Sequence, residues 1–180
     1  GAPSYEGRTS SGPPDEGDVP WAMDFSPDGS LAVVGNLVSR NVAIIVLPAG
    51  TIRSYVDVGD RIKEIRITPD GTHAVVCALD DNVVGIVDLT TDTLVRSLFI
   101  STRPARVRIS ADSAWAYVLN IAGSDRVSFI ELDGAASSIV TQLTAGQTGA
   151  ANGPTFTELS GIELSPNGLV LAGCDSFNDQ

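Results

Sequence analysis

The sequence predicts an all-β protein assembled from a repeated four-stranded unit, and three observations predict it. A turn motif recurs: Ser26-Pro27-Asp28-Gly29, Thr68-Pro69-Asp70-Gly71, Ser110-Ala111-Asp112-Ser113 and Ser165-Pro166-Asn167-Gly168 begin 42, 42 and 55 residues apart. Around each turn run short, β-branched-rich segments bounded by turn formers. No stretch of useful length carries the 3.6-residue apolar period of a helix. A period of about 40–45 residues holding four strands is the signature of a β-propeller blade.

The elements follow in order along the chain. Residues 1–18 are dominated by Gly, Pro and Ser, with Tyr5 almost the only apolar side chain, and read as an extended linker or arm. The propeller segment spans 19–180, in repeats of about 19–60, 61–102 and 103–158, then a half repeat, 159–180. The longer third spacing is one period plus an insertion near 147–157, rich in Gly, Ala and Thr. The second repeat shows the pattern most clearly, with strands Ile62 to Ile67, Ala74 to Ala78, Val83 to Leu89 and Leu94 to Ile100. Pro-Asp-Gly closes the first hairpin: proline has φ preset for a first turn position, and glycine tolerates positive φ. Asp81-Asn82 and Thr91-Asp92 mark the other bends.

Aligning the repeats sets the expected register. On the innermost strands, Met23, Ile65, Val107 and Ile162 are equivalent, as are Phe25, Ile67, Ile109 and Leu164, and these are expected to build the core between blades. Asp24, Arg66, Arg108 and Glu163 alternate with them. Their signs suggest ion pairs between adjacent blades, Asp24 with Arg66 and Arg108 with Glu163, with Glu64 and Arg106 as a third pair. Cys77 and Cys174 share a repeat position with one whole blade between them, too far apart for a disulfide, so both are expected to be buried thiols. The single histidine, His73, is expected to be structural at a strand start.

Composition bounds the function. Eleven basic residues, ten of them Arg, stand against 22 acidic ones, for a net charge of −11. That balance repels phosphate backbones and argues against nucleic acid as a partner. No apolar run is longer than Val42 to Leu47, which is far below the roughly 20 residues a membrane-spanning helix needs. No catalytic elbow, zinc-binding HExxH, phosphate loop or dinucleotide fingerprint occurs, and the Asp-rich turns lack the ligand spacing of a calcium loop, so no cofactor and no metal are expected.

Several residues match a known repeat. Ala116-Tyr117-Val118-Leu119-Asn120 followed by Val127-Ser128-Phe129-Ile130-Glu131 resembles the YVTN-type propeller family. So does Val84-Gly85-Ile86-Val87-Asp88-Leu89-Thr90-Thr91 followed by Thr93-Leu94-Val95, and the Arg103-Pro104 step matches the family's usual proline. The likeness runs from about Val19 to Asp175. The first repeat departs from it, with Val33-Val34-Gly35-Asn36 in place of the aromatic version. Families of this fold include cell-surface proteins, sugar-lactone hydrolases and large subunits of periplasmic amine dehydrogenases. The resemblance therefore implies a binding or scaffolding module that is secreted, periplasmic or at the cell surface. The alternative is part of an enzyme, lactonase-like or quinoprotein-dehydrogenase-like, whose active site is completed by blades not in this chain.

Three and a half repeats do not close a ring, so a neighbour is expected to complete it: the rest of a longer polypeptide, a second copy giving about seven blades, or another subunit. Propellers bind at the face carrying the loops from second to third strand and from blade to blade. Here those loops carry Arg40, Asn41, Asp60, Arg61, Lys63, Asp80, Asp81, Arg103, Arg106, Asp125 and Arg126. Arg61, Lys63, Arg103 and Arg106, with Asp81 and Asp125 nearby, gather much of the scarce positive charge and suit a carboxylate or an acidic partner segment. The alternative is that these charges simply solvate exposed loops.

Overall fold

A computed structural model describes residues 19–100, 102–121, 126–144, 159–166, 168 and 170–175. The expected arm 1–18, the insertion near 147–157 and Asp125 lie outside the described residues. Within them the chain is all-β. Three four-stranded antiparallel sheets follow one another: β1 (Pro20–Phe25), β2 (Leu31–Asn36), β3 (Asn41–Val46) and β4 (Thr51–Asp57); β5 (Ile62–Ile67), β6 (His73–Ala78), β7 (Val83–Asp88) and β8 (Thr93–Phe99); β9 (Pro104–Ile109), β10 (Trp115–Asn120), β11 (Arg126–Glu131) and β12 (Ser138–Thr144). A two-stranded sheet, β13 (Leu159–Leu164) with β14 (Leu171–Asp175), begins a fourth blade. The inner strands β1, β5, β9 and β13 lie side by side, which is the radial arrangement of a propeller arc.

The repeated turn is built by side chains that hydrogen-bond back to the chain. The Thr68 and Ser110 hydroxyls accept from the backbone N–H five residues on (3.1 and 2.9 Å), as Ser26 does at 2.9 Å. The turn's fourth residue has positive φ: 71° at Gly29, 75° at Gly71 and 70° at Gly168, with Ser113 accepting 63° where the third repeat lacks glycine. Each inner strand also carries a one-residue bulge at its second position, at Trp21, Lys63, Ala105 and Ser160. A shared bulge keeps the alternation of all four inner strands in phase.

The carboxylates in these turns are tuned by their hydrogen bonds. The Ser26 hydroxyl, then the N–H and hydroxyl of Ser30, hold Asp28 down to about 2. Asp112 is lowered chiefly by the Ser110 hydroxyl, and Asp88 by the Thr90 hydroxyl. Carboxylates depressed in the folded state stabilise it above their unfolded value of about 3.9, and that contribution is lost as pH falls through the folded value. The thermal midpoint is accordingly expected to drop between about pH 4 and 2. Asp28→Asn combined with Asp112→Asn should flatten that part of the pH profile, and an unchanged slope in differential scanning fluorimetry would refute the assignment.

The core sits in the seams between blades. Val33, Val42, Ile44 and Val56 of the first blade meet Ile65, Ile67, Val76 and Val87 of the second. Val75, Val84 and Ile86 of the second meet Val107, Val118 and Ile130 of the third. Leu119 and Val127 of the third meet Ile162. Burying one such side chain contributes roughly 1.5–3 kcal/mol.

Two expectations are corrected. Ile65, Val107 and Ile162 are buried, but their equivalent Met23 is 51% exposed and Phe25 is 53% exposed. These inner-strand positions point toward the preceding blade, and for the first blade no described blade precedes it. Cys77 is fully buried against the third blade, and burial pushes its thiol up, but Cys174 is exposed because its position faces the following blade and no described blade follows β13–β14. Neither cysteine is in a disulfide.

Candidate functional site

The loop face is built from crossovers held by repeated backbone bonds. The Val58 and Gly59 N–H groups donate to the Arg40 carbonyl at 3.0 and 3.1 Å, and one repeat later the Ile100 N–H donates to Asn82 at 2.7 Å. The Leu79 N–H donates to Arg61 and that of Ile121 to Arg103, at 3.1 and 2.9 Å. Arg40 and Asn82 occupy one repeat position, and both are left-handed, with φ of 60° and 57°; Arg61 is likewise at 55°. Non-glycine residues persist in that region only where surrounding bonds fix them, as here.

On this frame the charges pair with one another. Arg61 Nη1 lies 3.2 Å from Asp80 Oδ2, and Arg103 Nη2 lies 2.7 Å from Asp80 Oδ1, so one carboxylate bridges two successive crossovers. The Arg103 hydrogen bond, followed by that of Arg61, holds the Asp80 carboxyl below its usual range. Arg40 Nη2 reaches Asp81 Oδ2 at 2.7 Å, and its Nη1 lies 3.6 Å from Asp60. Asp81 Oδ2 also accepts the Asp60 N–H at 2.8 Å. Beside them Ser39, Arg40, Asp57, Val58, Gly59 and Asp81 line an open cleft of about 430 Å³.

The other expected binding residues are spread out. Lys63, at the bulge of β5, stands 4.3 Å over the Trp21 ring, a cation–π contact made by the bulge residues of neighbouring blades. Arg106 is half-buried and, among the described residues, makes no ion pair. Asn41 turns inward, 5% exposed, and its side-chain Oδ1 accepts from Asn36 Nδ2 at 2.8 Å. The sequence reading does not pair Trp21 with Lys63; the signal that links them is their shared repeat position, 42 residues apart.

The seam charges meet in a different pattern from the expected one. Arg108 Nε does face Glu163, at 3.1 Å from both carboxylate oxygens. Asp24 and Arg66 do not pair: Asp24 Oδ2 instead accepts the Ile67 N–H of the next inner strand at 2.8 Å. The short aspartate side chain meets the neighbouring backbone before it can meet a guanidinium. Arg66 folds back on its own strand, 3.0 Å from Glu64 Oε1 and 3.0 Å from the Ile65 carbonyl. Glu64 pairs with Arg108 at 3.1 Å rather than with Arg106, and its Oε2 accepts the Val107 N–H at 2.7 Å. Asp24 and Glu64 thus do the same thing in successive seams, each capping an N–H at the free edge of the next inner strand.

No family model matches the chain, and no curated protein matches it. Solved structures do. The chain superposes on Kuenenia stuttgartiensis hydrazine synthase with a TM-score of 0.73 at 20% identity, over 86% of this chain and 41% of that one. It superposes on a Bacteroides uniformis protein provisionally described as a 6-phosphogluconolactonase at 0.71 and 15% identity, over 92% and 51%. For the β-propeller domain of Cps50 (Swd1) from Myceliophteria thermophila the values are 0.69 and 10%, over 86% and 50%. These likenesses establish the propeller fold. The chain spans about two fifths to one half of the structures it matches.

Proposed function

We propose that this arc is a binding or scaffolding propeller module of an extracytoplasmic or cell-surface protein, and that its loop face receives a carboxylate-bearing segment of a protein partner. One observation carries the reading: Arg61 and Arg103, from successive crossovers, converge on a single carboxylate, that of Asp80. Two guanidiniums around one carboxylate form a ready receptor for that group. Asp80 is part-exposed, so an incoming aspartate or glutamate exchanges with it without opening the core. Support for the extracytoplasmic setting is the resemblance to YVTN-type propellers.

Isothermal titration of the chain with a polyglutamate peptide at low salt tests this. Asp80→Asn leaves both guanidiniums without their internal partner and is expected to tighten binding about tenfold, equivalent to about 1.4 kcal/mol. Arg61→Gln with Arg103→Gln should abolish it. Equal affinity of wild type and Asp80→Asn would overturn the reading, and turnover of a sugar lactone by the same chain would favour the enzyme alternative.

A further inference from the structure

The seam between the second and third blades holds a cavity of about 170 Å³ at the end of the strands away from the loop face. Both blades have their four strands, so this cavity does not depend on where the arc begins or ends. Three of its lining residues depart from the repeat, and all three departures are polar. His73 stands where the first and third blades carry Leu31 and Trp115. Ser113 stands where the other turns carry Gly29, Gly71 and Gly168. Asp133 belongs to a β11–β12 connection that runs over residues 132–137, where the first two blades use only 47–50 and 89–92. The longer connection forms a short 3-10 helix, Gly134–Ala136, that lies against β7 and β8.

Hydrogen bonding fixes what these groups present to the cavity. The Thr72 hydroxyl has one proton, and it goes to the Asp70 carboxylate at 2.9 Å. Thr72 Oγ1 therefore accepts from His73 Nδ1–H, 2.7 Å away, which leaves the lone pair of the neutral imidazole on Nε2. Nε2 faces Gly134, where an added Cβ would lie 3.5 Å from it, and makes no hydrogen bond among the described residues. Ser113 Oγ accepts the Asp70 N–H at 3.0 Å and has a second lone pair to spare. In the first seam the corresponding connection gives Asp92 to Arg53. Here Arg96 donates to the Ser137 carbonyl instead, at 3.0 Å, and the Asp133 carboxylate has no partner among the described residues.

The geometry points to a binding site for a primary ammonium group carried on a short apolar chain. The cavity offers the His73 Nε2, the Ser113 hydroxyl oxygen and the Asp133 carboxylate as acceptors, and an ammonium brings three N–H donors and the opposite charge. Ile86 and Leu132 give the methylene groups an apolar wall, the usual partner of a few placed polar groups in a ligand pocket. The space is several times what one water needs. A metal ion lacks ligands here, because among the described residues no three His, Cys, Asp or Glu side chains converge. The site is remote from Arg61 and Arg103, and this proposal and the loop-face reading can each fail without the other.

Titration of the whole chain with n-butylammonium chloride tests it, followed by NMR of the one histidine, whose imidazole signals belong to His73 alone. The Nε2 resonance is expected to shift saturably in the millimolar range, and by more than Nδ1. Tetramethylammonium has the same charge but no N–H donor and should produce no such shift. Asp133→Asn should weaken binding about tenfold, the loss of one charge-assisted hydrogen bond. His73→Leu restores the residue that the first blade carries and should abolish binding, read by saturation transfer to the butyl methyl protons. Circular dichroism confirms that both variants are folded. No saturable shift, an equal response to tetramethylammonium, or undiminished binding in His73→Leu would overturn the proposal. Micromolar binding of zinc chloride at Nε2 would overturn it too, in favour of a metal site.

Discussion

Glu64→Ala is expected to destabilise the chain by about 3–5 kcal/mol, the cost of removing one partner from a buried ionic group. Glu64 is 8% exposed, and its carboxylate receives the Val107 N–H at 2.7 Å, Arg66 at 3.0 Å and Arg108 at 3.1 Å. Alanine leaves two guanidiniums and a backbone donor at the seam without that acceptor. In urea the midpoint should fall by about 2 M, for a slope of about 2 kcal/mol/M. Glu64→Gln keeps an acceptor for Val107 and should cost less. Glu163→Ala removes a carboxylate from the same Arg108, but a 70% exposed one, and should cost at most about 1 kcal/mol. Equal losses for Glu64→Ala and Glu163→Ala would mean that burial does not set the strength of these pairs, and the account of the seam would be wrong.

The sequence discloses the architecture because each blade repeats the same turn chemistry. A Ser or Thr three residues before a left-handed Gly or Ser fixes the hairpin, the 42-residue spacing fixes the register, and alternation then names Ile65, Val107 and Ile162 as seam residues. Periodicity states which neighbour a side chain faces but not whether that neighbour is there, and so it places Met23 and Phe25 in a core that they do not enter. Register also says nothing of reach. Asp24 and Arg66 share a position in adjacent strands, yet an aspartate is long enough only for the next strand's N–H, whereas arginine is long enough to fold back on Glu64. At the loop face the spacing made Arg61 and Arg103 equivalent. That Asp80 spans both depends on the crossover backbone, where Leu79 is bonded to Arg61 just ahead of that aspartate.

The first seam also sets a limit on size. A Cβ built on Gly35 would lie 2.4 Å from Ile62 Cγ2 and 2.9 Å from Ile65 Cδ1, both fully buried side chains in the core shared by the first two blades. Neither is a flexible chain end facing solvent, so the seam must widen to admit the new atoms. Gly35→Val is expected to cost about 3 kcal/mol, the upper end of the range for overpacking a filled core. Gly35 lies outside the left-handed region, so the penalty is steric. Gly50 supplies the opposite case: its φ is 66° and nothing lies within 4 Å of the added Cβ, so Gly50→Ala should cost only about 1 kcal/mol of backbone strain. A double-mutant cycle separates the two origins. Ile62→Ala removes the nearest atom, and Gly35→Ala made in that background should be at least about 1 kcal/mol less damaging than in the wild type, a coupling expected only of groups in contact. Strictly additive losses in chemical denaturation would show that the first two blades do not meet as closely as this seam requires.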